Sequence, residues 1–159
     1  MSATVRIAKP GDECVLADLN SFVHALHVAQ RPKYFKRART SEVRDWFKDF
    51  LGKANSRIFI AEENGAPLGY ASVVIHDRPE NPFAFARRWH EIDQIAVDPR
   101  HRRMGVARTL VRAITDEARE RGVRDLEVTS WSFNKEAQAA FRRFGFAPKV
   151  IRFSLELDA

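Results

Sequence analysis

The sequence predicts a single α/β domain over residues 1–159, built on a mixed β-sheet with helices on both faces. Three observations predict this class. A length of 159 residues suits one domain with a substantial core. Strand and helix patterns follow in the order β-α-α-β-β-β-α-β-α-β, which fits neither a uniform βαβ repeat nor an all-β sandwich. Residues 91–121 join a strand, a basic turn with one glycine and an amphipathic helix.

Alternating and helical patterns cover the first half of the chain. They predict, in order, a strand at 4–8, a helix to residue 30, a helix at 40–51, and strands at 56–62 and 68–76. Asp12 is the expected N-cap of the first helix, and Thr40 or Ser41 that of the second. Gly69 lies inside the third strand, where a glycine indicates a bulge or a close approach of two backbones.

The second half begins with a proline-punctuated loop and ends with an alternating segment. The predicted elements are a loop at 77–88, a strand at 91–97, a helix ending before Gly122, a strand at 123–131, a helix between Asn134 and Gly145, and a closing strand at 150–157. Both glycines stand where a helix commonly ends.

The turn after the strand at 91–97 is predicted to bind an anion. The first amides of a helix have no carbonyl partner, and the helix dipole adds partial positive charge there. Gly105 and Ala107 leave the backbone bare enough for a phosphate to approach. Arg102 or Arg103 can add a charge-assisted contact.

This turn carries a resemblance to a known family. Arg102-x-x-Gly105-x-Ala107 resembles the (Arg/Gln)-x-x-Gly-x-(Gly/Ala) signature of GCN5-related N-acetyltransferases, the GNAT family. In that family the signature binds the pyrophosphate of acetyl-coenzyme A. The resemblance implies acetyl-CoA as the acyl donor and an N-acetyltransferase that acts by direct attack in a ternary complex.

A second stretch resembles the same family. It begins at Asn134, continues through Ala137 and Phe141, and ends at Gly145-Phe146. The family's second cofactor region usually reads Asn-x-x-Ala-x-x-x-Tyr-x-x-x-Gly-Phe. The chain departs from that pattern because phenylalanine replaces the tyrosine that commonly supplies the proton to the leaving thiolate.

The resemblance also implies an architecture and a set of cofactor contacts. The sheet of a GNAT-like domain is mostly antiparallel, and two neighbouring parallel strands, here 91–97 and 126–131, splay apart to hold the pantetheine arm in a cofactor cleft. Backbone amides at 95–97 would bind the pantetheine and the oxyanion. The implied cofactor-binding residues are Ile95, Ala96, Val97, Arg102, Arg103, Met104, Gly105, Val106, Ala107, Arg108, Asn134, Ala137 and Phe141.

Acetyl transfer to an amine needs a base, because an ammonium has no lone pair. Glu91 is the first candidate, since the family often places a glutamate on this strand, and it would act directly or through water. Asp93 is the second candidate, on the same face if the strand is regular.

The proton for the leaving thiolate has no obvious source. Its candidates are Ser130, Ser132, Tyr34, Tyr70 and water. A thiolate can also leave without assistance. The alternative function, motivated by Phe141, is a non-catalytic protein that binds or senses acyl-CoA.

Residues 31–39 combine five positive side chains with two aromatic ones. One interpretation is a solvated loop whose aromatics anchor it to the core. The other is an acceptor-recognition loop, because in the family the loop between the first two helices borders the acceptor site. His27, Tyr34 and Phe35 are therefore candidate acceptor-binding residues. A small-molecule or peptide amine is the expected acceptor, and a basic aromatic mouth favours one with a carboxylate.

Composition narrows the other partners. The formal net charge of +6 fits nucleic acid, a polyanionic cofactor or water as the neighbour of the basic groups. No helix carries a basic stripe beside base-reading residues, so no nucleic-acid partner is expected. The single cysteine, Cys14, has no metal-ligand spacing around it, and no metal is expected.

Location and assembly are less constrained. No apolar run approaches the ~20 residues that cross a membrane, so no membrane partner is expected. The N-terminus shows no apolar secretory core, so a cytoplasmic location is the default expectation. A homodimer is left open, because nothing in the sequence indicates an oligomeric state.

Overall fold

A five-stranded sheet organises the chain in the computed structural model, which describes residues 2–157. Its strands are β1 (Thr4–Ile7), β2 (Ser56–Glu63), β3 (Ala66–Arg78), β4 (Arg87–Val97) and β5 (Leu126–Val128). Neighbours in this order are hydrogen-bonded, all antiparallel except for the parallel pair of β4 and β5. The predicted mixed, mostly antiparallel sheet is therefore confirmed.

Four α-helices accompany the sheet among the described residues. They are α1 (Glu13–Gln30), α2 (Thr40–Leu51), α3 (Val106–Glu120) and α4 (Lys135–Arg143). The chain divides into two compact units, Met1–Thr129 and Ser130–Ala159. The first unit contains the sheet with α1, α2 and α3, and the second contains α4. The expectation of one domain over the whole chain stays a prediction.

The alternation of β2 sends its side chains to two cores. Ile58 and Ile60 are buried on one side, in a cluster with Leu16 of α1 and Phe47 of α2. Phe59 is buried on the other side, where α3 contacts β2, β3 and β4. The predicted placement of helices on both faces is confirmed. Each such buried side chain contributes roughly 1.5–3 kcal/mol to stability.

Strands β3 and β4 are longer than the sequence predicts. They extend to Arg78 and begin at Arg87, so the predicted loop at 77–88 shrinks to residues 79–86. The charged residues Asp77 and Arg88 are cross-strand partners and form an exposed ion pair at 2.8 Å. The pairing of two long strands overrides the polar local sequence that predicts a loop.

Near the C-terminus one strand is shorter than predicted and another predicted strand is wrong. Strand β5 covers only Leu126–Val128 of the predicted 123–131, because its ladder with β4 lasts three residues. The described residues 150–157 form no strand, and Phe153 is 89% exposed. Alternation is a local property of a sequence, whereas a strand also needs a partner for its hydrogen bonds.

The predicted N-caps are corrected in part. Asp12 does occupy the N-cap position of α1, but its side chain binds the Arg6 guanidinium at 2.8 and 3.0 Å and the Lys9 amide at 2.8 Å. The N-cap of α2 is Arg39, not Thr40 or Ser41. There the amide of Arg39 donates to the Glu42 carboxylate at 3.0 Å, which gives the first turn of α2 a side-chain partner.

Candidate active site

The turn between β4 and α3 is anchored by Asp98. This residue is 3% exposed, and its amide donates to the Leu68 carbonyl at 2.9 Å. Its carboxylate accepts hydrogen bonds from the Arg100 guanidinium at 2.6 Å and from the Arg100 amide at 2.9 Å. The guanidinium first, and then the amide, lower the pKa of Asp98 to about 2. A charged Asp98 therefore holds the start of the turn.

The turn contains a run of amides that have no acceptor among the described residues. Arg103 and Gly105 both lie in the left-handed region, with φ of 59° and 83°. Left-handed residues interspersed in a turn aim successive N–H groups at one point, which makes an anion-binding concavity. Among residues 2–157 no acceptor is bound by the amides of Arg103, Met104, Gly105, Val106 and Ala107.

Two glycines shape this turn for different reasons. A Cβ at Gly105 would meet nothing within 4 Å, so this glycine serves the left-handed conformation and the bare approach to the amides. A Cβ at Gly69 would lie 2.6 Å from the Ala96 carbonyl oxygen and 3.3 Å from Val106 Cγ1. Gly69 thus lets β3, β4 and the start of α3 approach closely, which confirms its predicted role.

One edge of β4 changes character along its length. His90, Glu91 and Ile92 pair with β5, and the ladder ends at the pair of Ile92 and Val128. From Asp93 onward β4 pairs with β3 alone in the described sheet. The amides at 95–97, which the family resemblance assigns to the cofactor and the oxyanion, lie in this singly paired half.

A β-bulge separates the two halves. Ser72 pairs with Gln94 and Val73 with Ile92, so Asp93 has no partner in the ladder. The condition of a regular strand, under which Asp93 would share the face of Glu91, is therefore not met. The bulge shifts the alternation of side chains along β4 by one residue. Glu91 precedes the bulge, and Gln94, which follows it, lies on the face covered by α1 and α2.

Both candidate bases lie near one imidazole. The Glu91 carboxylate is 3.6 Å from Nε2 of His76, whose ring stacks on Trp89 at a centroid distance of 4.7 Å. Restricted hydration raises the pKa of the Asp93 carboxyl, and the nearby His76 and Lys53 oppose that shift. The sequence alone did not indicate His76 as a neighbour of these two carboxylates.

An open cleft of about 300 Å³ lies between α1, residues 31–39, α2 and β4. It is lined by Asn20, His24, Lys36, Ala38, Glu42, Val43, Trp46, Phe47 and Gln94. A polar network stands beside it. The buried Tyr70 hydroxyl donates to Gln94 Oε1 at 2.7 Å and accepts from Asn20 Nδ2 at 2.9 Å. Sequence reasoning missed Asn20 and Gln94, which are distant in the chain and match no motif.

The predicted acceptor-binding residues pack around one ring. His27 and Tyr34 both contact Phe35 edge-on, at centroid distances of 5.0 and 4.8 Å. Their neighbours His24 and Lys36, rather than these three residues, line the cleft. The aromatic side chains therefore shape the segment that carries the cleft wall.

The second cofactor stretch belongs to the second compact unit. The Asn134 side chain caps α4 by accepting from the Ala137 amide at 3.2 Å, as predicted. Phe141 is buried and meets Phe146 edge-on at 5.8 Å. Its phenyl ring has no proton to donate, so the departure from the family's tyrosine stands.

Comparison with known proteins shows to which class this chain belongs. Residues 22–146 match the model of the acetyltransferase (GNAT) family, and the chain belongs to that family. The predicted family, enzyme class and acyl donor are confirmed. No helix among residues 2–157 is long and apolar enough to cross a membrane.

Two relatives by sequence support this assignment. An L-2,4-diaminobutyric acid acetyltransferase of Streptomyces coelicolor is 32% identical over 127 residues, covering 74% of this chain and 69% of the relative. An uncharacterised N-acetyltransferase of Methanocaldococcus jannaschii is 28% identical over 137 residues, covering 84% of this chain and 58% of the relative. The chain is thus shorter than both relatives.

Two solved structures share the fold. A tetramutant of the BH1408 protein from Bacillus halodurans superposes with a TM-score of 0.92 at 22% identity, covering 97% of this chain and 99% of that one. A predicted acetyltransferase with acetyl-CoA from Clostridium acetobutylicum has a TM-score of 0.72 at 18% identity, covering 98% and 96%.

Proposed function

We propose that this protein transfers an acetyl group from acetyl-CoA to a primary amine by direct attack in a ternary complex. The observation that carries the proposal is the run of amides at 103–107, which donate to no internal partner among the described residues. A diphosphate is the part of acetyl-CoA that needs such donors.

The donor site is built from backbone rather than side chains. The amides at 103–107 would hold the pyrophosphate, and the guanidinium of Arg102 or Arg103 would add charge. The singly paired edge of β4 would hold the pantetheine amides at 95–97. These amides also supply the donors that a tetrahedral oxyanion needs. Gly105 and Ala107 keep the approach open.

For the base, we propose Glu91, with Asp93 as the second candidate. Glu91 would accept the proton of the acceptor's ammonium, directly or through water, so that the free amine attacks the acetyl carbon. The N–C bond forms to give the tetrahedral oxyanion, the C–S bond then breaks, and the nitrogen loses its second proton to water. His76, 3.6 Å from the carboxylate, is placed to orient it.

Among the described residues, no side chain is a good candidate for the general acid that would protonate the leaving thiolate. Tyr70 is a poor candidate, because burial raises the pKa of its hydroxyl and its proton is donated to Gln94. Ser130 donates to the Trp131 carbonyl at 3.3 Å. We therefore propose that water protonates the thiolate or that the thiolate leaves unassisted, which its pKa of about 8.5 allows.

For the acceptor, we propose the cleft beside Gln94. Lys36 and Ala38 of its lining belong to the loop between the first two helices, which the family resemblance places at the border of the acceptor site. The relative named for L-2,4-diaminobutyric acid also acts, by that name, on a small amine-bearing molecule. A primary amine is therefore the acceptor to test first.

The proposed donor site is tested by a substitution that introduces a negatively charged side chain at Gly105. Gly105→Glu should abolish measurable acetyl-CoA binding in calorimetry, because the carboxylate crowds and repels the pyrophosphate. Gly122→Glu is a matched control at the far end of α3: Gly122 has φ of 71°, and a Cβ there would also meet nothing within 4 Å. Equal binding by the two variants would remove the turn from the donor site.

Turnover separates an enzyme from the alternative, a non-catalytic acyl-CoA binder. Free thiol released from acetyl-CoA is measured against a mixed library of amines, and acetylated products are identified by mass spectrometry. Amine-dependent thiol release with an acetylated product supports the enzyme. Binding of acetyl-CoA without any amine-dependent release supports the alternative that Phe141 motivates.

Location and assembly stay predictions. We propose a cytoplasmic enzyme, as the sequence leads one to expect, and fractionation of the native host would test this. A homodimer would be detected by light scattering of the purified chain.

A further inference from the structure

The cleft beside Gln94 is lined by more polar and charged groups than the binding of one amine requires. Its volume of about 300 Å³ lies at the lower end of small-molecule pockets, which suits a ligand of amino-acid size. The class of acceptor named for it here rests on the proposed acetyl transfer at that same site.

The floor of the cleft offers both a donor and an acceptor. Gln94 Oε1 is occupied by the Tyr70 hydroxyl, and Asn20 Nδ2 is occupied by the same hydroxyl. The other ends of these two amides, Gln94 Nε2 and Asn20 Oδ1, bind nothing within the described chain. An amine can donate to the Asn20 oxygen while it presents its lone pair elsewhere.

The rim of the cleft carries two opposite charges. Lys36 and Glu42 both line it, and no ion pair joins them among residues 2–157. One Glu42 oxygen accepts from the Arg39 amide, which leaves the second oxygen for a ligand. An exposed ammonium and an exposed carboxylate in one cleft match a ligand that carries a carboxylate and a cation.

The surrounding charge favours one arrangement of those groups. Residues 31–39 contribute five positive side chains and no negative one. A ligand with amines alone is repelled by this segment, whereas a carboxylate is attracted. Trp46, 44% exposed and stacked on Phe50 at 5.1 Å, offers an apolar wall for methylene groups.

We infer that the acceptor is a small diamino monocarboxylic acid. Lys36 binds its carboxylate, Glu42 binds the amino group that stays charged, and the Asn20–Gln94 floor receives the amino group that reacts. The reacting nitrogen loses its proton toward Glu91 and forms the amide bond, and the acetyl C–S bond breaks with departure of the CoA thiolate.

The first test compares acceptors that differ by one group. Initial rates are measured with 2,4-diaminobutyrate, ornithine and lysine, with the methyl ester of the best of these, and with the diamine that lacks its carboxylate. The free acid should have the highest kcat/KM, with ester and diamine about tenfold lower, the loss expected for one charge-assisted contact.

The second test pairs each rim residue with the ligand group it binds. Lys36→Gln should raise KM for the acid about five- to tenfold and leave KM for the ester unchanged. Glu42→Gln keeps an oxygen for the Arg39 amide but loses the charge, and should raise KM for the diamino acid while sparing the matching monoamino acid. Lys48→Gln and Asp45→Asn, on α2 outside the cleft, serve as controls.

The outcomes are distinct for the two proposals. Equal kcat/KM for acid, ester and diamine, or a preference for a lysine-containing peptide, overturns the diamino-acid inference and leaves acetyl transfer standing. An effect of Lys36→Gln that is the same for acid and ester also overturns it. Absence of thiol release with every amine overturns both.

Discussion

The two halves of β4 share one backbone but not one task. At His90, Glu91 and Ile92 the strand is paired on both sides, with β3 and β5, and just before them Arg87 bridges the carboxylates of Asp125 and Glu127. Beyond the bulge at Asp93 it is paired with β3 alone. The first half is held from both edges, whereas the second keeps one edge of backbone groups available for a ligand.

The difference shows how β4, a strand inside the sheet, can offer the proposed binding edge along only part of its length. The amides of a central strand normally all donate hydrogen bonds to the two neighbouring strands. Here β5 ends after three pairs, and the bulge sets the alternation anew, so that Gln94 faces the cleft. The proposed binding edge begins where the pairing with β5 stops, next to residues that are held by two neighbouring strands.

The sharpest test of this boundary concerns the two carboxylates on either side of it. Glu91→Gln should lower kcat about 100-fold, the effect of losing a general base, and most at low pH, where less amine is free. Asp93→Asn should have a much smaller effect. The measurement is the pH–rate profile of each variant at saturating acetyl-CoA. The reverse ranking would transfer the base to the bulge itself, and unchanged profiles in both would remove the carboxylates from the mechanism.

The next largest effect should come from the close approach that supports the singly paired half. Gly69→Ala should destabilise the fold by about 1–3 kcal/mol, because its Cβ would overlap the Ala96 carbonyl of that half. Chemical denaturation measures the change. Gly52→Ala is the control, since its Cβ would meet its nearest atom at an ordinary 3.5 Å. Equal stability of the two variants would contradict the close approach.

The first half of β4 can be weakened at the ion pairs that Arg87 makes with Asp125 and Glu127. Arg87→Ala removes the bonds to Asp125 and Glu127 and the contact of the guanidinium with the Trp89 ring at 4.2 Å. A loss of about 1 kcal/mol in unfolding free energy is expected. Arg88→Ala, which breaks only an ion pair with both side chains over half exposed, should change stability by less than about 0.5 kcal/mol. Similar losses of unfolding free energy in the two variants would show that the contacts of Arg87 add no more stability than an exposed ion pair.

The smallest effect is a pH dependence at the end of β4. The Asp98 pKa is lowered from 3.8 to about 2, so its charged form contributes stability that is present above pH 4 and lost as pH falls through about 2. Asp98→Asn lacks that contribution. The difference in unfolding free energy between wild type and variant should therefore shrink between about pH 4 and about pH 2. A constant difference would show that the charge of Asp98 is not what holds the turn.

The turn was predictable from the sequence because its properties are local. A glycine before an amphipathic helix, a basic run and a preceding β-branched strand predict helix-start amides without an internal acceptor, and among the described residues the amides at 103–107 have none. Gly69 was readable for a similar reason, since a glycine inside a strand indicates close approach. The same local reasoning failed at 150–157, where alternation without a partner made no strand.

By itself, the sequence determined the fold class and the family, and it predicts the donor turn, since each depends on residues that are close together in the chain. The tertiary structure alone decided the bulge at Asp93, the pairing of His76 with Glu91, and the cleft that joins Asn20 to Gln94. The physical reason is that these features depend on where strands stop pairing and on which distant side chains meet. Local periodicity carries no record of either.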